Sequence, residues 1–117
     1  MNRIEDIRNY MGGDNDDVPV YQPSVDHLQY LIDMCNKHGL PLPEIFPWYG
    51  GNGVQAQWEQ KSDWYIEINS SSHGISGLFI KNIADRGYGD AVSCKYNNIS
   101  GAFYAVKAFI ERQCINK

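Results

Sequence analysis

The spacing of apolar residues changes near residue 54, and this change constrains the fold more than any other feature of the sequence. Upstream, Val25, Leu28 and Leu31 recur at helical intervals. Downstream, apolar residues occupy every second position, which is the period of a half-buried strand. The sequence therefore predicts helix before this point and sheet after it. The predicted strands cover residues 54–59, 64–69, 75–83 and 91–96.

Short connections join these predicted strands. Serine or glycine recurs in them, as at residues 70–74 and 85–90, and both residue types favour turns. Strands joined by such turns pair as antiparallel neighbours. One face of the resulting sheet carries Val54, Trp58 and Ile66 and must be covered by other elements.

Two amphipathic helices are predicted to provide this cover. The first begins at Ser24, whose hydroxyl suits an N-cap, and ends at Gly39, which can adopt a left-handed conformation. The second begins at Ser100 and carries an apolar stripe that includes Phe109. The predicted fold class is α+β: a four-stranded, mostly antiparallel meander covered on one face by two amphipathic helices, in the order α-β-β-β-β-α. The residues expected to share one core are Leu28, Val54, Trp58, Ile66 and Phe109.

The chain has 117 residues, which is the usual size of one domain. We predict an N-terminal arm over residues 1–23, in which Ile4, Ile7 and Met11 favour a short helix, and a single α+β domain over residues 24–117. The proline-rich stretch after the first long helix is expected to be an extended entry into the sheet.

The charge pattern limits the classes of partner. The formal net charge is -4, and the 10 lysines and arginines are scattered along the chain. Duplex-binding proteins normally cluster such residues on one face, so we expect no direct contact with nucleic acid. The apolar runs are shorter than the roughly 20 residues needed to cross a bilayer, and the N-terminus lacks the apolar core of a signal peptide. These features predict a cytoplasmic protein without membrane contact.

The three cysteines, Cys35, Cys94 and Cys114, are far apart and include no CxxC pair. We interpret them as reduced thiols, of which at least two are buried. His27, Cys35 and His38 lie on one predicted helix without further ligands nearby, so a zinc site is not expected. The acidic stretch 14–17 lacks the ligand spacing of a calcium loop. We predict neither metal nor cofactor.

No catalytic set is evident, and we expect a protein that is not an enzyme. Cys94 and His73 are the pair closest to a thiol nucleophile with its base, but Cys94 alternates with Val92 and Tyr96 on the apolar face. The alternative of a small enzyme with an unfamiliar site near His73, Cys94 and Arg86 stays open.

Aromatic residues outside the predicted core suggest a partner-binding patch. Tyr65 and Glu67 alternate with core residues and so fall on the exposed side of the sheet. The other members lie in two glycine-bearing loops, at the ends of strands. Tryptophan, tyrosine and arginine are enriched at interface hot spots. The predicted partner-binding residues are Trp48, Tyr49, Tyr65, Glu67, Arg86 and Tyr88.

Residues 40–68 carry a pattern of prolines at 41, 43 and 47, glycines at 51 and 53, Trp58, and the run Ile66-Glu67-Ile68. This stretch resembles PxPxxxPxxxGGxxLxWxxxxxxxxIEI, which occurs in many small uncharacterised prokaryotic proteins. Those proteins look like accessory proteins of mobile elements, including antitoxin-like and immunity-like ones. The match departs from the pattern at Asn52, which splits the glycines, and at Ala56. The resemblance implies a neutralising, partner-binding role and transfers no catalytic residue.

These observations favour a non-enzymatic protein-binding domain. The specific hypothesis is an inhibitor from a phage, plasmid or toxin locus that occludes one target protein, as anti-defence, antitoxin and immunity proteins do. The acidic balance suits a target with a basic, nucleic-acid-binding surface, because complementary charge speeds association. A homodimer or structural subunit joined through a sheet edge or face is the remaining alternative.

Overall fold

The computed structural model describes residues 3–9, 20–48, 52–60, 63–81 and 90–115. Helices α1 (Arg3–Arg8) and α2 (Gln22–Lys37) precede the sheet, and helix α3 (Ile99–Ile115) follows it. The strands are β1 (Glu44–Trp48), β2 (Gly53–Gln60), β3 (Trp64–Ser71), β4 (Gly74–Lys81) and β5 (Asp90–Tyr96).

The sheet is an antiparallel meander in which five strands follow the order β1-β2-β3-β4-β5. Each strand pairs antiparallel with the next, so that Trp58 faces Ile66 and Ile66 faces Phe79. The predicted α+β class and antiparallel meander are confirmed.

The prediction of four strands is wrong, because the stretch expected to be merely extended contains β1. This strand has only five residues and includes Pro47. Proline has no backbone N–H to donate to a neighbouring strand, and within a sheet it is tolerated at the edge. β1 is such an edge, and Pro47 lies opposite Val54 of β2.

The core lies between one face of the sheet and the helices. Leu28, Val54, Trp58 and Ile66 are each at most 2% exposed, and Phe109 packs against them half-buried. α2 lies over β2 and β3, and α3 lies over β4 and β5. The predicted shared core and strand register are confirmed.

Both long helices begin earlier than predicted. α2 begins at Gln22 with Tyr21 as N-cap, and Ser24 is buried in its first turn. α3 begins at Ile99, and the Oδ1 atom of Asn98 accepts from the Gly101 amide at 2.8 Å. The N-caps predicted at Ser24 and Ser100 are therefore wrong. The Ser24 hydroxyl accepts a buried hydrogen bond from Ser70, and Asn98 rather than Ser100 caps α3.

The end of α2 agrees with the prediction. Gly39 has φ of 68°, the left-handed conformation expected after a helix C-terminus. The Leu40 amide then donates to the Cys35 carbonyl at 2.8 Å, and Leu40 packs against the core. This turn sends the chain from the helix into the extended entry to β1.

The N-terminal segment forms the short helix α1, whose Ile4 and Ile7 belong to the same core as the sheet. Arg8 fixes its end to α2 through contacts of 2.9 Å with Gln22 and with Asp26. Met11, expected on the same stripe, lies outside the described residues. Across the described part of the chain, no helix is long and apolar enough to span a membrane.

Candidate functional site: the outer face of the sheet

The helices and the buried core occupy one face of the sheet, and the opposite face carries the alternate side chains. We call this opposite surface the outer face. Its central residues on β2, β3 and β4 are Gln55, Gln57, Glu59, Tyr65, Glu67, Asn69, Ser76, Leu78 and Ile80. Most of these side chains are half-buried, because neighbouring strands bring them into contact with one another.

A chain of hydrogen bonds joins the polar side chains of this face. Tyr65 Oη donates to Glu67 Oε1, and Asn69 Nδ2 donates to Glu67 Oε2, both at 2.8 Å. Gln55 Nε2 donates to Asn69 Oδ1 at 2.8 Å, and Gln57 Nε2 donates to Gln55. Both carboxylate oxygens of Glu67 are thus held in place. A partner would meet ordered side chains, which lowers the entropic cost of binding.

Tyr65 keeps its hydroxyl proton, and so stays a hydrogen-bond donor, to higher pH than an ordinary tyrosine. Burial raises the pKa of its phenol well above the ordinary value, and the hydrogen bond to Glu67 raises it further. The negative charges of Glu67 and Glu59 act in the same direction. The neutral ring therefore places an apolar body and a fixed hydroxyl beside an ionised carboxylate.

The charges of the outer face are unevenly distributed. Glu44, Glu59 and Glu67 lie on β1, β2 and β3, and the register places Glu44 and Glu67 on either side of Gln57. Leu78 and Ile80 on β4 supply apolar surface next to them. Within the described residues, Lys95 on β5 is the single cation at an outer-face position. It lies opposite Ser76, and so it is not in line across the strands with any of the three glutamates. The face therefore combines an acidic side on β1–β3 with an adjacent apolar strip on β4.

The structure brings together two of the six predicted partner-binding residues. Tyr65 and Glu67 share the outer face, as their alternation predicts, although they are half-buried and hydrogen-bonded rather than freely exposed. Trp48 ends β1 opposite Gly53, and its side chain is not described. Tyr49, Arg86 and Tyr88 lie outside the described residues, so the complete patch stays a prediction.

Sequence reasoning missed the neighbours that hold this pair. Gln55, Gln57 and Asn69 alternate with core residues, so their position on the outer face could have been found from the same period. The bond from Gln55 to Asn69 depends on how β2 and β3 align, and the bond from Gln57 to Gln55 depends on the rotamers of both side chains. The sequence pattern specifies neither. Phe46 of β1 lies opposite Gln55 and therefore also occupies an outer-face position. The sequence pattern does not indicate this, because it does not predict β1 as a strand.

A second polar arrangement lies inside the molecule, between α2 and β3. His27 Nδ1 lies 2.7 Å from Ser70 Oγ, and Ser70 Oγ donates to Ser24 Oγ at 2.9 Å. A serine next to a histidine is the beginning of a nucleophilic site. Ser70 is 2% exposed and Ser24 is fully buried, however, so no substrate reaches either hydroxyl. The arrangement ties the first turn of α2 to the sheet.

The structure describes the side chains of two of the three cysteines. Cys35 and Cys94 are both free, and burial raises the pKa of Cys35 to about 11, against a smaller opposing effect of a hydrogen bond with Trp58. Cys94 lies opposite Gly77 of β4, and Gly77 is four residues along the chain from His73. That spacing is about 13 Å along a strand, beyond the reach of the imidazole. The Cys114 side chain is not described, and Arg86 lies outside the described residues.

Metal binding finds no support in the described part of the chain, where no group of three or more histidine, cysteine, aspartate or glutamate side chains could hold an ion. His38, a candidate ligand beside Cys35 by sequence, instead lies against the Phe103 ring with a centroid separation of 5.4 Å. The acidic stretch 14–17 is outside the described residues.

No family model matches the chain, and comparisons with curated proteins and with solved structures give no match either. The resemblance of residues 40–68 to mobile-element accessory proteins therefore stays a prediction.

Proposed function

We propose that this protein is a non-enzymatic binding protein that neutralises one target protein by covering its working surface, and that the outer face is the contact surface. The observation that carries the proposal is the ordered chain of side chains from Gln57 to Tyr65 on a sheet face without helix cover among the described elements. Side chains fixed in this way are suited to recognition of a folded partner.

The chemistry of the outer face suits a protein partner. Leu78, Ile80 and the Tyr65 ring offer apolar area that water leaves on binding. Aromatic residues at the centre of such a patch contribute a large share of binding energy, whereas the polar rim mainly excludes water. Glu67, with both oxygens already engaged, offers a carboxylate of fixed orientation to a cationic group of the partner.

The expected partner has a basic surface at the contact. The β1–β3 side of the face carries three like charges, those of Glu44, Glu59 and Glu67. Complementary charge on a partner raises the association rate, and added salt reduces this gain. Proteins that bind nucleic acid carry such basic surfaces. An inhibitor from a phage, plasmid or toxin locus that covers such a surface is the specific form of the proposal, and its additional support is the resemblance of residues 40–68.

The test begins with affinity capture of the target from the native host, followed by purification of both proteins. A variant with Glu44, Glu59 and Glu67 all changed to glutamine removes the charge and keeps the side-chain shapes. We expect its association rate to fall by roughly tenfold at low salt and its dependence on salt to flatten. The matched control changes three exposed carboxylates of the helices, Glu5, Asp33 and Glu111, to their amides.

Equal association rates for the two triple variants would contradict the proposed surface. A captured protein whose own activity is unchanged when the complex forms would contradict neutralisation, even if the binding surface is correct. Turnover of a small molecule by the purified protein, lost on changing Cys94 to alanine in a folded variant, would favour the enzyme alternative.

A further inference from the structure

The two edges of the sheet differ in how they are protected from other strands. β1 is five residues long and contains Pro47 and Glu44. Short length, proline and charge are the usual means by which an edge strand avoids pairing with another chain. β5, at the other edge, is seven residues long and has no proline. The β5 edge therefore carries charge in Asp90 and Lys95 but lacks the short length and the proline that protect β1.

The helix side of β5 is also incompletely covered. Val92 occupies a core-face position opposite Phe79, yet it is 58% exposed, whereas Phe79 is 7% exposed. α3 leaves an apolar groove of about 320 Å³ here, lined by Phe79, Val92, Cys94, Tyr96, Ala105 and Phe109 among others. The groove opens beside the outer edge of β5, which pairs with no second strand among the described residues, so a strand added there would bring side chains next to the groove.

We propose that a second copy of this chain occupies this edge, with β5 paired antiparallel to β5 of the partner across a twofold axis at Ser93. Ser93 is the midpoint of Asp90–Tyr96, so this register pairs every residue of the strand. Because the axis stands perpendicular to the sheet, the two sheets become continuous and both α3 helices lie on the same face. The two apolar grooves then meet at the centre of the dimer.

The sequence of β5 is complementary to itself in this register, and this favours a second copy over an unrelated strand. On the helix side Val92 lies opposite Cys94, so that apolar side chains meet each other. On the outer side Lys95 lies opposite Ala91, and Ser93 lies opposite Ser93. The single lysine therefore never faces its own copy, and like charges do not oppose each other, which would be destabilising in directly paired positions.

This dimer is independent of the proposed function, because it uses the β5 edge rather than the centre of the outer face. The twofold axis places the outer faces of both copies on the same side of the joined sheet. A dimer would thus present two contact surfaces together, and loss of the dimer would leave each surface intact.

The first test measures the mass of the purified full chain by light scattering and sedimentation over a series of concentrations. We expect the wild type to reach twice the mass of one chain, and Val92→Lys to weaken dimerisation at least tenfold. Leu42→Lys is the matched control, because Leu42 is equally exposed, at 57%, on the extended segment before β1. Circular dichroism and thermal unfolding check that both variants are folded.

Two results would overturn the proposal. One is a wild type that keeps the mass of one chain up to the highest concentration at which it is soluble. The other is equal dimerisation of the Val92→Lys and Leu42→Lys variants.

The second test determines the register by disulfide formation. In a background with Cys94→Ala and Cys114→Ala, Ser93→Cys should form a covalent dimer on mild oxidation, because paired residues bring their Cβ atoms within about 5.5 Å. Ala91→Cys, on the same side of the same strand, should not, because the two copies of Ala91 are separated by several residues along the joined strands. Crosslinking at Ala91 instead of Ser93 would contradict the twofold axis at Ser93.

Discussion

Gly77 shows how one residue sets the packing of the sheet at its β4–β5 side. A methyl group at Gly77 would lie 3.0 Å from Ile68 Cδ1, Phe79 Cε1 and Tyr96 Cε2. Contacts this short on three sides require neighbouring side chains to shift. Glycine at this position therefore lets the Tyr96 ring approach the strand closely.

Gly77→Ala should lower the free energy of unfolding by about 1–3 kcal/mol, because the added methyl overpacks the core. Gly101→Ala is the matched control. Gly101 lies in the first turn of α3, and its Cβ would meet Asn98 Oδ1 at an ordinary 3.5 Å. That change should raise the free energy of unfolding by about 0.5–1 kcal/mol, since alanine favours helix. Urea denaturation measures both, and equal effects of the same sign would contradict this account of Gly77.

His27 makes stability depend on pH. Burial lowers the pKa of its imidazole below the ordinary value, and Asp26 opposes this to a smaller extent. The unfolded chain therefore binds the proton more readily than the folded one. The contribution is fully present above the ordinary pKa of about 6.5 and is lost as pH falls through the lower folded pKa.

His27→Asn should reduce this loss of stability on acidification, because asparagine keeps a polar atom near Ser70 without titrating. The measurement compares urea denaturation about one pH unit above the ordinary histidine pKa with denaturation about two units below it. His73→Asn, which changes an exposed histidine in the β3–β4 turn, is the control. If acidification lowers the free energy of unfolding of both variants as much as that of the wild type, His27 is not the cause of the pH dependence.

At the scale of elements, alternation predicted the strands that have a long apolar face and missed the one that does not. β2, β3 and β5 are found within one or two residues of their predicted bounds. β4 is described as far as Lys81, and the last two residues of its predicted range, 82 and 83, lie outside the described residues. Among the β1 side chains that the structure describes, Ile45 alone is buried, and the proline of this strand argues against a strand. Its existence depends on β2, which provides the hydrogen-bonding partner, and no local pattern reveals that.

The start of α3 is a further case in which the structure decides between neighbouring residues. Asn98→Ala should lower the free energy of unfolding by about 1 kcal/mol, because its side chain accepts from the Gly101 amide. Ser100→Ala should cost less, since the Ser100 hydroxyl donates to Asn98 and satisfies no helix amide in the described hydrogen bonds. Thermal or urea denaturation distinguishes them, and a larger effect at Ser100 would restore it as the N-cap.

At the scale of the whole molecule, the sequence predicted which face of the sheet is buried and so which face is available to a partner. Tyr65 and Glu67 were placed on that face by alternation alone. Their hydrogen bond, and its extension through Asn69 and Gln55, could not be predicted. The bonds among Tyr65, Glu67 and Asn69 lie within β3 and require particular rotamers, and the bond from Gln55 also requires the alignment of β2 with β3. The same limit applies to the β5 groove, which depends on where α3 crosses the sheet.

The two proposed surfaces divide the molecule by function. The proposed target contact lies on the outer face and the proposed contact between copies lies on the β5 edge, so that the two proposals assign recognition and assembly to different elements. The buried core, the His27–Ser70 contact and Cys35 support both surfaces without forming part of either.

The most direct test of the central claim is the affinity of Tyr65→Ala for the purified target, measured by calorimetry beside that of Tyr104→Ala. Tyr104 is 53% exposed on α3, away from the outer face. We predict that Tyr65→Ala weakens binding by about 1 kcal/mol or more, roughly fivefold, while Tyr104→Ala binds like the wild type and both variants remain folded. Binding unchanged in Tyr65→Ala, with a loss in Tyr104→Ala, would place the contact on the helices and contradict the account.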